Sequence, residues 1–379
     1  MPYVASLTNV LSNHLGWHRA RVKFIARFTT AVVKQATTDL WAIALALKAD
    51  VQPASNHRRI QRFLSGYDLD QAALGRLLLH LLPTEPPYTL TLDRTEWHLG
   101  QTPVNVLAVG VVFGRVAVPI AWRALPKGGG SGAEDQIRLL EALLDVMDSA
   151  SIDVLVADRE FISVRWLRRL QDEGVSFAIR LRSDRQVARA PDGVPADGAS
   201  RSRALPVRLF ARPTGVGEQR TLESVRLFGE EGPLSVDLVI QRIGPPSADD
   251  PFVILAVGDV DPSRAMDLYR ERWSIETLFA ALKSRGLDME ETHVTVPARV
   301  ERLIGLLALA FLWVRLIGER RTRREGPPRR NTHGRRQRSV FRYGLDQLRS
   351  ILSTPKPQPA AFFDCLRLLR SPTLVLSCT

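Results

Sequence analysis

Hydrophobic positions recur at helical spacing through residues 1–85, with breaks near Gly66 and Pro83. From Tyr88 the period changes. The run YTLTLDRTEW alternates and predicts a strand ending in a charged loop. NVLAVGVVFGRVAVPIAWRAL predicts two more strands about a Gly114–Arg115 turn, and a helix is expected from about Ala133 to Met147. IDVLVADREF is almost wholly apolar until it breaks into charge at Asp158. That is the profile of a buried central strand delivering a carboxylate at its C-terminal end. The helix SVRWLRRLQDEG follows. Between residues 175 and 260 the runs VSFAIRLRS, LPVRLFARP, QRTLESVRLFG, LSVDLVIQRI and PFVILAVGDV read as strands, separated by Pro, Gly and Asp clusters. The pattern is helical again from Pro262 through Gly318.

The 379 residues are 45% hydrophobic and 24% charged, which is globular material for two or three domains, and the helical and strand-like runs together make the class α/β. Against 40 Asp+Glu stand 52 Lys+Arg, a net charge of +12. That excess favours a polyanionic partner, nucleic acid being the commonest, and also fits ribosome-associated or membrane-surface proteins. His18, Arg19, Arg21, Lys23 and Arg27, then His57, Arg58, Arg59 and Arg62, form either a solvated face of a helical bundle or a DNA-contacting module. The arginines from Arg320 to Arg338, Arg335 among them, read as a solvated linker, as phosphate contacts, or as both. The two cysteines, Cys365 and Cys378, make neither a disulfide framework nor a zinc site and point to a reducing cytoplasm. The N-terminal residues lack the pattern of a signal peptide. The longest apolar run, Leu303 to Val314, is shorter than the ~20 residues of a membrane span and reads as a buried core helix. GGGSGAEDQ lacks the order of a phosphate-cradling loop and reads as a flexible connection.

Tyr269, Arg272, Glu276 and Lys283 are spaced at three, four and seven residues, which places them on one face of one helix. Trp273, Leu278, Phe279 and Leu282 are then available to bury the remaining surface. A carboxylate among two cations and a phenol suits a metal ion working on a phosphodiester. Asp93, ending a strand, and Asp158 supply two more acids. Three such carboxylates can hold two divalent ions ~3.5–4 Å apart for in-line phosphoryl displacement, and magnesium suits an all-oxygen site. Singly, each acid also fits a surface salt bridge. Arg159 and Glu160 either orient Asp158 or form an ordinary surface pair, and Arg94 and Thr95 either contact DNA or shape the strand end. His98 reads as a loop residue, and His293 follows the signature helix with no spacing that ties it to the site.

The Y-(2)-R-(3)-E-(6)-K spacing of Tyr269, Arg272, Glu276 and Lys283 resembles the signature of the insertion-sequence-four family of DDE transposases. LDRTEW at Leu92–Trp97 and DRE at Asp158–Glu160 look like that family's two aspartate motifs. The resemblance covers residues 88–318. It implies a helical DNA-binding domain at 1–85 and an RNase H-like catalytic core at 86–174 and 261–318. A β-rich insertion would occupy 175–260, and a basic region for DNA contact or dimerisation 319–379. Asp93, Asp158 and Glu276 would coordinate two Mg2+ ions, with Mn2+ as a substitute. Tyr269, Arg272 and Lys283 would grip the transposon end. The implied activity is metal-dependent cleavage at terminal inverted repeats and strand transfer into target DNA by a synaptic homodimer at the nucleoid. Family members that form a hairpin stack a flipped base on an aromatic residue of the insertion. No tryptophan lies between Trp166 and Trp273, so Phe252 is either the substitute platform or an ordinary core phenylalanine. The same residues also fit a nuclease without strand transfer, or a transposase-derived DNA-binding protein.

Overall fold

In a computed structural model, residues 2–47, 50–99, 102–189, 203–245, 248, 250–283, 286–332, 336–354 and 358–372 are described. Five helices precede the first strand: α1 (Pro2–Ser12), α2 (Arg19–Gln35), α3 (Leu40–Leu47), α4 (Pro53–Gly66) and α5 (Gln71–His80). Asp70 starts α5 by accepting the Ala73 N–H at 2.8 Å, satisfying a donor the helix cannot.

One ten-stranded sheet follows. Its strands are β1 (Tyr88–Leu99), β2 (Thr102–Phe113), β3 (Val116–Leu125), β4 (Ile152–Ala157), β5 (Phe177–Arg180), β6 (Gln186–Arg189), β7 (Leu205–Pro206), β8 (Gln219–Gly229), β9 (Gly232–Arg242) and β10 (Phe252–Gly258). They lie in the order β3-β2-β1-β4-β5-β10-β9-β8-β6-β7. The predicted β2–β3 hairpin forms, with Gly114 at φ +64, the left-handed conformation its turn requires. The helices α6 (Ala133–Leu144) and α7 (Val164–Asp172) flank β4 in sequence. β4 pairs in parallel with both β1 and β5, which explains its continuous apolar run: every side of it is covered. Because β5 extends the same sheet, the strands beyond residue 175 continue the layer begun by β1–β4.

Three local expectations are corrected. LPVRLFARP is not a strand. Only Leu205–Pro206 pair, and α8 (Val207–Ala211) follows with Val207 and Ala211 buried. β1 does not end at Asp93 but runs on to Leu99, because its antiparallel partner β2 stays paired through Leu99↔Thr102. The helix expected over Tyr269–Lys283 is two helices, α9 (Pro262–Arg270) and α10 (Trp273–Leu282). Between them Glu271 N, Arg272 N and Ser274 N donate to the carbonyls of Leu268, Tyr269 and Glu271 at 2.9–3.0 Å. These tightened three-residue turns interrupt the α-helical ladder.

The apolar run around Leu303–Val314 lies inside α11 (Pro297–Glu325), whose residues from Leu303 to Gly318 are buried. α11 continues past Gly318, so Arg320, Arg321, Arg323 and Arg324 sit on its last turns rather than on a linker, where cations favour the helix end. Among the described residues no helix is long and apolar enough to cross a membrane. α12 (Val340–Ser353) and α13 (Pro359–Arg367) close the described chain. Cys365 is a buried free thiol, while Cys378 and Arg335 lie outside the described residues.

α11 and α12 meet at backbone distance through glycines. A Cβ on Gly344 would stand 2.1 Å from the Val314 carbonyl oxygen, and one on Gly318 2.0 Å from that of Val340. Overpacking of this kind costs roughly 1–3 kcal/mol or more. Gly344→Ala is therefore expected to lower the urea midpoint of unfolding, whereas Gly66→Ala, with open space around it, should leave that midpoint nearly unchanged.

Candidate active site

The parallel ladder between β1 and β4 ends at Leu92↔Ala157. Asp93 and Asp158 are the next residue on each strand. Asp93 is thus an internal residue of a long strand that sits where its parallel neighbour stops, and Asp158 is the first residue beyond β4. The strand-end placement expected of the two acids arises from β4 rather than from β1.

Glu276 comes from the first turn of α10, where the positive end of the helix favours a carboxylate. Two side chains tie it to the aspartates. The Arg272 guanidinium donates to Glu276 Oε1 at 2.8 Å and lies 3.7 Å from Asp93 Oδ2. Tyr269 Oη donates to Asp158 Oδ1 at 3.4 Å. Arg272 is itself fixed from behind, because its carbonyl accepts from Thr91 Oγ1 of β1 at 3.3 Å. Tyr269 and Arg272 are both buried, so their polar groups face the acids.

Asp93 Oδ1 accepts the Arg94 N–H at 2.7 Å. Even so, burial pushes its pKa up from 3.8 to about 6; the Arg94 N–H and Arg272 pull it down, and the charges of Glu160 and Glu276 add to the rise. Burial and the Asp158 charge push the Tyr269 phenol up to about 12, so it remains a proton donor at neutral pH. Arg94 forms a two-pronged pair with Glu160, at 3.0 and 3.2 Å. Glu160 therefore pairs across to the residue after Asp93, not with Arg159, and clamps the two aspartate-bearing segments together. Arg159 is exposed and lines a cavity of about 770 Å3 with Arg182 and Arg185.

Lys283 lies just past the end of α10. Its Nζ donates to the Glu96 carbonyl at 3.3 Å and stands 6.0 Å from the centre of the Trp97 ring. Glu96 also accepts the Gly129 N–H at 3.1 Å, so the glycine run read as a flexible connection is docked beside the site. Phe252 opens β10 with its ring buried, 8% exposed, and the Arg242 guanidinium 5.5 Å from its centre. A ring held in this way has no free face for a base. His98 is exposed near Glu96, and His293 lines a separate cavity with Trp41 and His57 of the N-terminal helices.

Trp273 is the aromatic residue the sequence reading misplaced. Counted there among the burying residues, it is 61% exposed, with the Arg272 guanidinium 4.2 Å from the ring centre. Its i+3 relation to Glu276 is the signal that puts it on the polar side. Arg180, which bears on the Tyr269 phenol and pairs with Asp250 at 3.0 Å, carried no signal in the sequence.

Among the described residues no group of three His, Cys, Asp or Glu side chains stands close enough to hold a metal ion. As arranged, the cation between Asp93 and Glu276 is Arg272.

The raised Asp93 pKa has a definite sign. Between pH 3.8 and about 6 the folded chain keeps a proton that the unfolded chain has lost, so stability from this group falls as pH rises through that window. Asp93→Asn should therefore raise stability at pH 7.5 by roughly 1–3 kcal/mol and change it little near pH 4. Arg272→Met should lower stability at pH 7.5 by roughly 3 kcal/mol, and by less at low pH. Chemical denaturation at the two pH values checks both.

Residues 130–313 match the family model described as "Transposase DDE domain". No curated protein has a matching sequence. Among solved structures, the chain is matched to the crystal structure of an endonuclease V from Bacillus subtilis at 13% identity. That match covers 70% of this chain and 95% of the other with a TM-score of 0.24, too low to carry any argument. The matched family stretch holds Asp158 and Glu276 together with Tyr269, Arg272 and Lys283, while Asp93 lies before it.

Proposed function

We propose that the chain is a DNA transposase of the insertion-sequence-four type. In this reading it binds terminal inverted repeats, cuts at the transposon end and joins the 3′-OH to target DNA. The observation that carries the reading is that Arg272 and Tyr269 between them contact all three acids, Asp93, Glu276 and Asp158. Those acids belong to two neighbouring parallel strands and one helix. This is also the placement expected of an RNase H-like catalytic core.

The donor chemistry fits a hard divalent cation, because the acids offer only oxygen ligands. Asp93 adds to the fit as a largely buried oxygen donor whose pKa burial raises above its ordinary value. Asp93, Asp158 and Glu276 would hold one or two magnesium or manganese ions. Such ions, when bound, polarise a phosphodiester and activate a water or a 3′-hydroxyl.

The chain's own groups do the rest. Tyr269 presents a proton to Asp158 and fixes its carboxylate. Arg272 orients Glu276 and offsets the charge of Asp93, acting on DNA through the acids. Lys283 offers an ammonium to the phosphate backbone. Trp273, exposed beside Glu276, is better placed than Phe252 to stack on a base if the end closes into a hairpin. The basic N-terminal helices would grip the repeats, and a homodimer would hold two ends together.

The test is a cleavage and joining assay on duplex DNA carrying the inverted repeats that flank the gene. Magnesium or manganese should be required, and joined products should appear from a 3′-OH end. Asp158→Asn and Glu276→Gln should each reduce both steps about a thousandfold without loss of fold. DNA affinity should fall steeply with salt, as counterion release demands. Cutting without joined product would leave a nuclease. Activity unchanged by both substitutions would leave a DNA-binding protein.

A further inference from the structure

Arg315, midway along α11, takes no part in the carboxylate cluster. It is 5% exposed, donates through Nη2 to Glu319, and lies 5.9 Å from the centre of the Phe113 ring. Its buried Nε has no hydrogen-bond partner. A guanidinium left partly unsatisfied in the interior is costly, and burial together with Arg336 lowers its pKa. Glu319 alone does not complete this group.

Arg315 lines a cavity of about 590 Å3 between α10, the start of β3, α11 and the first turn of α12. Glu276, Thr277, Lys283 and Ser339 supply its other polar walls, and Trp273 stands at its edge. Ser339 caps α12 by accepting the Arg342 N–H at 3.1 Å. The first turn of that 14-residue helix therefore borders the cavity and adds its positive end to the two cations. Glu276, the acid on the wall, is engaged by Arg272.

We propose that this groove binds a backbone phosphate of the nucleic-acid strand running past Glu276, with Arg315 and Lys283 as its partners. The proposal rests on the transposase reading and extends it. It adds to Lys283 a second anchor for the strand, supplied by Arg315 of α11 and the first turn of α12. Such an anchor would fix the strand's direction across the three acids before any bond is cut.

Thr277 is exposed on the groove wall, so a charge there alters the groove without disturbing the core. Binding of a labelled single-stranded DNA oligonucleotide to the full chain, without divalent metal, is measured by fluorescence anisotropy. Thr277→Glu is expected to weaken affinity about fivefold or more, and Arg315→Met by a similar factor. Ser350→Glu, exposed at the far end of α12, is the charge-matched control and should change affinity less than twofold or so. Oligonucleotides with a single neutral methylphosphonate linkage locate the contact. One linkage position should weaken binding to the wild type yet have little effect on Thr277→Glu.

Wild-type affinity in Thr277→Glu, or an equal loss in Ser350→Glu, would overturn the groove. Metal-dependent cutting by the wild type would then leave the transposase reading standing. A wild-type chain that neither binds nor cuts DNA would remove both.

Discussion

The guanidinium of Arg272 is the interaction on which the site depends. It is buried, touches Asp93 and Glu276, and is anchored through its own carbonyl to Thr91. Without a positive charge there, a largely buried strand carboxylate and an exposed helix carboxylate would face each other uncompensated. Removing the guanidinium leaves both acids uncompensated, which costs far more than the pairing contributes when intact. One side chain thus bridges the strand acid and the helix acid, beside the Thr91 and Lys283 bonds that also join β1 to α10. The tight turns at Glu271–Arg272 are what turn that side chain toward both.

The acids themselves were legible in the sequence because each ends a pattern. Asp158 breaks an apolar run, Asp93 interrupts an alternating one, and Glu276 sits at helical intervals from an arginine and a tyrosine. The helix break was not legible. Arg272 keeps helical dihedrals, φ −50 and ψ −37, so nothing in its residue type or spacing announces an interruption made by hydrogen bonds three residues apart. The extent of β1 was hidden for another reason. Its charged half, Asp93 to His98, reads as a loop when taken alone and becomes a strand only because β2 pairs along all of it. Tertiary partners decide such segments.

Aromatic residues were the least readable. Helical spacing assigns Trp273 to the interior, and the structure exposes it; Phe252, open to a core reading or a stacking one, is in the core. A tryptophan at a helix N-terminus beside an arginine can cover that cation rather than the core, and the 4.2 Å contact with Arg272 shows that choice. The Arg94–Glu160 pair was equally hidden, since its members lie 66 residues apart.

The two ends of the sheet carry a consequence for how the chain behaves among its own copies. An edge strand with free backbone groups is a template for another molecule's strand. At one end lies β3, packed against α5, α10 and α11, with its Ala124 N–H taken by the Glu301 carboxylate at 2.9 Å. At the other end lies β7, two residues long and containing Pro206, too short to seed a ladder. The described sheet is wide enough to grow, yet neither of its two end strands is a long bare template. For a chain of net charge +12, that protection matters most where its own copies are most concentrated.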